Sequence, residues 1–261
     1  MFRLLTNNGH RKRNYIIGML IFHYYSYFRK MKLKMIVLSG AGISAESGIA
    51  TFRDSDGLWE QYRIEDVATP EAWKKDPELV QRFYNERRKQ VIACEPNAAH
   101  RFFADCEKLF DVTIITQNID DLHQRGGSTD ILHLHGEIRK SKSSGPKQEQ
   151  AYYEINGWEL SMEDRCSDGY VLRPHVVWFG EAVPNLERAV LKVAEADILV
   201  VVGTSLNVYP AANLIHYAPD HCRKFVIDPK ADELEVPGSF TKISATAVEG
   251  VKMLEEFLNE K

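Results

Sequence analysis

The chain has 261 residues, 44% of them hydrophobic, which is enough to bury one large core or a large core with a small lobe. Its net charge of −4 comes from 33 basic and 37 acidic residues; none of the acidic ones precedes Glu46, and removing the eight basic residues before that point leaves −12 on the rest. An acidic body argues against a broad nucleic-acid footprint, and Cys94, Cys106, Cys166 and Cys222, with no C-x-x-C pair among them, indicate neither a disulfide scaffold nor a zinc knuckle but free thiols in a reducing cytoplasm.

Residues 1–32 read as an N-terminal extension. Within it, 15–28 (YIIGMLIFHYYSYF) is apolar and aromatic between two basic runs. It falls short of the roughly 20 residues that span a bilayer, and no small-residue cleavage site follows. Three readings stay open: translation beginning at Met31 or Met35, an amphipathic membrane-surface anchor, or a structural extension. No membrane association of the body is expected.

From 33 to 261 the pattern alternates between short apolar strands and amphipathic helices. Strands are expected at 35–38, 112–116, 131–134, 198–202 and 224–227, and helices at 77–94, 98–109, 185–195, 211–217 and 247–259. The continuous apolar run at 198–202 (ILVVV) fits a strand covered on both faces. This interleaving predicts an α/β fold with a doubly wound, parallel, Rossmann-like sheet, whose ligands bind beyond the carboxyl ends of the strands. Two stretches break the rhythm. Residues 51–75 read as a structured loop with short helices, and 137–173, polar and irregular, as a small inserted lobe.

The chemistry gathers at strand ends. After the first strand, GAGIS (40–44) fits the loose dinucleotide fingerprint, in which glycines admit a pyrophosphate and a helix N-terminus favours its charge. A tight strand-to-helix turn would look the same. An ordinary dehydrogenase would continue with a second strand and an acidic ribose ligand about 20 residues on; here Thr51-Phe52-Arg53 and a loop follow instead. TQNID (116–120) puts Gln117, Asn118 and Asp120 at the end of another strand, where amides and a carboxylate either bind ribose and carboxamide groups or cap the next helix. HLHG (133–136) puts His135 beside a glycine that lets a ligand approach. An imidazole there suits a general base, although His133 and His123 compete for the role and a structural histidine is the plainer alternative.

The ordered set GAGISAESGI, TFR, GLW, TQNID, HLHG, RPHVVWFGE and GTS, covering about 33–258, resembles the sirtuins, the NAD-dependent protein-lysine deacylases. The resemblance implies that Gly40, Ala41, Gly42 and Ser44 cradle the NAD phosphates and adjoining ribose. Thr51, Phe52, Arg53 and Trp59 fall among its cofactor-binding positions, with Phe52 over the reacting carbon and Arg53 on phosphate. Gln117 and Asn118 would reach the nicotinamide ribose, Ile119 and Asp120 the carboxamide, and Gly203, Thr204, Ser205, Asp228 and Ala245 the adenosine half. Asp228 stands where the family usually has asparagine. His135 would be the general base, with Asn118 beside it as a catalytic residue. The acyl oxygen of a modified lysine would attack the anomeric carbon as nicotinamide leaves, yielding free lysine and O-acyl-ADP-ribose.

For the substrate, the resemblance makes Val177, Trp178, Phe179, Gly180 and Glu181 a docking strand for an acylated peptide, which would add through main-chain bonds. Tyr84 and Arg87, three apart on one helical face, read on spacing alone as an exposed surface pair, but they coincide with the pair that marks the branch preferring acidic acyl groups, and Ala68 with its small pocket residue. A guanidinium forks onto a carboxylate, so succinyl- and malonyl-lysine are the expected substrates, with acetyl-lysine also accepted. Most of the family holds a structural zinc with four cysteines in the small lobe; only Cys166 stands in 137–173, so no metal is expected. Packing around Tyr152, Tyr153, Ile155, Trp158, Leu160 and Tyr170 would have to replace it. The alternatives are mono-ADP-ribosyl transfer from the same crevice and a non-catalytic NAD sensor.

Overall fold

The computed structural model describes residues 32–50 and 62–259. Two units divide the chain, Met1–Leu33 and Lys34–Lys261, and the elements below belong to the second. In chain order they are β1 (Lys34–Ser39), α1 (Gly42–Ala45), α2 (Ile64–Val67), α3 (Pro70–Lys75), α4 (Pro77–Ala93), α5 (Ala98–Cys106), β2 (Asp111–Thr116), α6 (Leu122–Gly126), β3 (Ile131–His133), β4 (Gly136–Ser143), β5 (Tyr152–Glu154), β6 (Leu172–Val176), α7 (Leu186–Ala194), β7 (Ile198–Val202), a 3₁₀ turn at Ala211–Tyr217, β8 (Arg223–Ile227), a 3₁₀ turn at Ala231–Glu233, β9 (Phe240–Ile243) and α8 (Ala247–Asn259).

The fold is α/β, built on a six-stranded sheet in the order β3-β2-β1-β7-β8-β9. Every pairing in it is parallel. The chain winds outward from β1 to β3, returns, and winds outward again from β7 to β9, so the order reverses between β1 and β7. Such a switch opens a crevice beyond the carboxyl ends of the two strands. Both are buried along nearly their whole length, as parallel strands covered on two faces must be. Their side chains alternate between two cores. Met35, Val37, Val200 and Val202 meet Phe103, Val251 and Leu254 on one side; Ile36, Leu38, Leu199 and Val201 meet Ala189, Val193 and Leu214 on the other.

Some expectations shift. The stretch 211–217 is a 3₁₀ helix rather than an α-helix; it lies between Pro210 and Pro219, too short a span for α-helical bonding to propagate. The helix expected to run to 109 ends at Cys106, because Lys108 N and Leu109 N turn back to the carbonyls three residues earlier. Across 136–176 a three-stranded antiparallel sheet, β5-β4-β6, is present where most of the polar sequence reads as irregular.

The small sheet has its own cluster of Ile155, Leu160, Cys166 and Leu172, with Tyr153 partly covered. Ile155 and Leu160 thus pack as expected, but Tyr152, Trp158 and Tyr170 are exposed. Polar contacts take over much of the fastening. Gln81, Asn85 and Arg88 lie at helical spacing on α4. Asn85 exchanges hydrogen bonds with the main chain of Leu160 at 3.0 and 3.1 Å. The fully buried Arg88 donates to the carbonyls of Ile138 at 2.6 Å and Trp158 at 2.8 Å. Among the described residues, no group of three His, Cys, Asp or Glu is placed to hold a metal, and no helix is long and apolar enough to cross a membrane.

Candidate active site

The glycine turn leaves β1 at the switch point and rests on the segment leaving β7. Gly40 N donates to Val202 O at 3.0 Å and Gly42 N to Gly203 O at 2.8 Å. A Cβ on Gly42 would lie 2.6 Å from Gly203 Cα, and one on Gly203, whose φ is +63°, would lie 2.3 Å from Ile43 N. Both positions therefore require glycine, and the two bare backbones form a cradle of the kind that admits a pyrophosphate.

The end of β2 is tied to this cradle. Asn118 Nδ2 donates to Gly40 O at 3.1 Å and to Ser44 Oγ at 3.2 Å. Ser44 Oγ donates to Asp120 Oδ2 at 3.0 Å, and Asp120 Oδ1 accepts from Leu122 N at 3.1 Å. Asp120 is buried; desolvation raises its carboxyl pKa, opposed by these hydrogen bonds. Gln117 Nε2 reaches Thr204 Oγ1 at 3.1 Å, which joins the end of β2 to the Gly203-Thr204-Ser205 turn after β7. Ile119 accepts from Ile138 N at 2.7 Å and packs against the cluster that holds Tyr84.

The three candidate imidazoles separate by their bonding. His123 is fully buried against Ser39 Oγ at 2.9 Å, and burial drives its pKa well down. His133 has both nitrogens engaged, Nδ1 with Asn118 O at 3.1 Å and Nε2 with the Gln124 amide at 2.6 Å. His135 Nδ1 faces Gln117 O at 3.0 Å. A carbonyl only accepts, so Nδ1 carries the proton and Nε2 keeps a lone pair, with no hydrogen bond to it among the described residues. Burial lowers the His135 pKa, and the Gln117 carbonyl offsets part of that effect.

The substrate candidates adjoin this group. Val177 N donates to His135 O at 2.9 Å and Phe179 N to Ala68 O at 3.0 Å. Ala68, Tyr84, Val176 and Trp178 share one buried cluster. Burial pushes the Tyr84 phenol up to about 12, against the pull of Arg87 and Trp178. Arg87 is partly buried; desolvation lowers its pKa, and Tyr84 and Asp120 counter that. The expected docking strand at 177–181 is not a regular strand, since β6 stops at Val176. Trp178 N is taken by the Glu181 carboxylate at 2.8 Å and Glu181 N turns back to Trp178 O at 3.0 Å, which closes a turn there.

Asp228 and Ala245 follow β8 and β9, also at the carboxyl edge of the sheet. Asp228 Oδ1 accepts from Lys230 N at 2.9 Å, within its own turn. Thr51, Phe52, Arg53 and Trp59 lie outside the described residues. Sequence reasoning missed the support beneath the site. Asn97 caps α5 in a reciprocal box with His100, and its Nδ2 holds Ile43 O at 2.7 Å, while His100 Nε2 approaches Ser44 Oγ at 3.5 Å. The signal was present as Asn97 and His100 at capping-box spacing before a helix.

Comparisons with known proteins agree with this geometry. A family model described as the Sir2 family matches residues 40–210. An NAD-dependent protein deacylase from Bacteroides thetaiotaomicron is 50% identical over 227 residues, covering 86% of this chain and 97% of that protein. One from Helicobacter pylori is 49% identical over 222 residues, covering 84% and 95%. A solved complex of a Sir2 homologue with NAD superposes with a TM-score of 0.74 at 37% identity, covering 87% of this chain and 91% of that one.

Proposed function

This chain belongs to the Sir2 family, and we propose that it is an enzyme that uses NAD to remove acyl groups, succinyl and malonyl above all and acetyl as well, from protein lysines. The observation that carries this reading is His135: its Nδ1 is committed to Gln117 O and its Nε2 is left as a base beside the Asn118–Ser44–Asp120 network.

The residues present fit the dinucleotide, because a Cβ at Gly42 or Gly203 would fill the cradle. Gly40, Ala41, Gly42 and Ser44 would hold the phosphates and adjoining ribose, Gly203, Thr204 and Ser205 the adenosine half, Gln117 and Asn118 the nicotinamide ribose, and Ile119 with Asp120 the carboxamide. When bound, NAD supplies an anomeric carbon from which nicotinamide departs and to which the acyl oxygen adds, so that the acyl group leaves on ADP-ribose. His135 Nε2 takes the proton of a ribose hydroxyl. Its neutral form is favoured by burial, so it is ready to accept that proton at neutral pH. Main-chain groups of 177–181 that are not already bonded within the protein would hold the peptide, and Tyr84 with Arg87 the distal carboxylate of the acyl group, since a phenol and a guanidinium offer donors and Ala68, in the same cluster as Tyr84, is small. No zinc is needed in this scheme.

Mass spectrometry of the purified protein with NAD and acetyl-, succinyl- and malonyl-lysine peptides tests it. Nicotinamide and O-acyl-ADP-ribose are expected, and an ADP-ribose adduct on protein without deacylation would establish mono-ADP-ribosyl transfer instead. Arg87→Met should lower succinyl-peptide turnover far more than acetyl-peptide turnover; equal loss on both would remove the acidic-acyl preference.

A further inference from the structure

Most of the family holds a zinc in the small lobe, and the residues here do not fit one. Cys166 Sγ donates to Ser143 Oγ at 3.4 Å, and that hydroxyl also accepts from Gly145 N at 3.0 Å. A single thiol bonded to a hydroxyl cannot close a tetrahedral site, and among the described residues no group of three His, Cys, Asp or Glu is placed to do so. The opposite face of the same sheet carries something else. Tyr152, Lys142 and Arg173 are neighbours in register across β5, β4 and β6, so they share that face. Lys142 and Arg173 are both 2% exposed. Two buried cations side by side are costly unless each is paired, and their partners come from outside the strands. Lys142 Nζ donates to Glu149 Oε1 at 2.5 Å, and the Tyr152 hydroxyl donates to Glu149 Oε2 at 2.8 Å. The Tyr152 ring stacks on His175 with ring centres 4.0 Å apart. Arg173 Nη2 donates to Gln148 Oε1 at 2.8 Å. Burial lowers the Lys142 pKa and Arg173 adds to that, while Glu149 opposes both.

One guanidinium joins this segment to a second one. The same Arg173 Nη2 donates to Glu181 Oε1 at 2.5 Å, and Glu181 Oε2 accepts from Trp178 N at 2.8 Å. The guanidinium also lies 3.7 Å from the centre of the Trp178 ring. Segment 148–152 and the turn at 178–181 therefore meet on Arg173. If Gln148 and Glu149 lift away, Arg173 loses a partner of Nη2 and Lys142 is left buried beside it without its carboxylate. We propose that 148–152 is a strap, closed over the small sheet by Glu149 on Lys142 and Gln148 on Arg173 where relatives use a metal, and that its closure holds the 178–181 turn in the shape that receives the peptide. The second half rests on peptide docking at 177–181; neither half depends on the acyl preference.

The test is trypsin cleavage of the full chain after Lys147, whose side chain is 61% exposed at the edge of the strap, together with KM for an acylated peptide and for NAD. In the wild type that cleavage should be unchanged by EDTA; acceleration by EDTA overturns closure without a metal. Glu149→Ala strands the Lys142 charge, so cleavage after Lys147 should rise about ten-fold or more relative to cleavage after Lys192 in α7, because proteolysis follows the open population. KM for the peptide should rise about five-fold while KM for NAD stays within about two-fold. Lys142→Met combined with Glu149→Ala removes the charge with its partner and should recover most of both effects. A cleavage ratio at the wild-type value in Glu149→Ala overturns the strap. Gly180→Ala perturbs the turn directly, because φ there is +89°. A peptide KM that rises in Gly180→Ala but not in Glu149→Ala overturns the hold of the strap on the turn; one that rises in neither overturns docking at 177–181. Should Glu149→Ala unfold as a whole, cleavage after both lysines rises together, and Gln148→Ala, which removes only the bond to Arg173, reads the same quantities with the same outcomes.

Discussion

At the scale of single residues, the reading depends on one imidazole and its tautomer. The Gln117 carbonyl fixes the proton on His135 Nδ1 at 3.0 Å. His133 has both nitrogens engaged, and His123 is sealed in the core. A positioned general base contributes about 10²–10⁴-fold. His135→Ala should therefore lower kcat by that factor, with nicotinamide release on an acylated peptide as the readout. The pH dependence has a definite sign. The base works when neutral, and burial lowers the folded pKa below the ordinary 6.5. The neutral form thus persists below pH 6.5, and the acid limb of kcat/KM should bend at a pH under that value. A bend at or above 6.5 would mean that His135 titrates as an exposed imidazole, or that another group controls the rate.

At the scale of elements, α4 carries three jobs on three stripes. Val80, Phe83 and Val91 enter the core, Tyr84 and Arg87 are the pair proposed for the acyl carboxylate, and Gln81, Asn85 and Arg88 clasp the inserted sheet. Among the described residues Arg88 has no carboxylate partner; carbonyls and the Asn85 amide oxygen accept from its Nε and Nη1, and burial lowers its pKa to about 10. Arg88→Met leaves the Ile138 and Trp158 carbonyls unmatched. At about 1.5–3 kcal/mol for a hydrogen bond to a charged group, offset by relief of the buried charge, the net loss should be about 2 kcal/mol, read as a lower urea midpoint at unchanged slope. If the inserted sheet is fastened this way without a metal, dialysis against EDTA should leave the wild-type midpoint where it was.

The same helix shows what a sequence makes legible. Apolar runs such as 198–202 announce buried strands, and motifs at their ends announce the cradle, because backbone geometry there admits few residue types. The polar stripe of α4 was unreadable, since polar residues at helical spacing also describe a solvated face, and only the inserted sheet distinguishes the two. β9 was missed because Phe240-Thr241-Lys242-Ile243 buries only its first and last residues, as an edge strand does. The turn closed by Glu181 on Trp178 N was missed because a carboxylate bond to a main-chain N–H leaves no periodic trace.

At the scale of the whole molecule, the support beneath the site ties stability to acid. His100 and His123 are both buried, with rings 4.9 Å apart. Burial lowers the His100 pKa to about 4 and drives that of His123 well down. In the unfolded chain both return to about 6.5. Between those values the unfolded state binds protons that the folded state does not. Stability therefore falls as pH drops from about 6.5 toward the folded pKa, and each group takes away up to about 1.4 kcal/mol for every pH step of about one. The melting temperature should decline steadily between about pH 6.5 and about pH 4, before the paired carboxylates titrate. His100→Gln provides the control. Glutamine at the third helical position can still close a capping box with Asn97, but it does not titrate, so the variant should lose less melting temperature across that window than the wild type. Parallel curves for the two proteins would assign the acid sensitivity to other groups and would mean that His100 contributes packing alone.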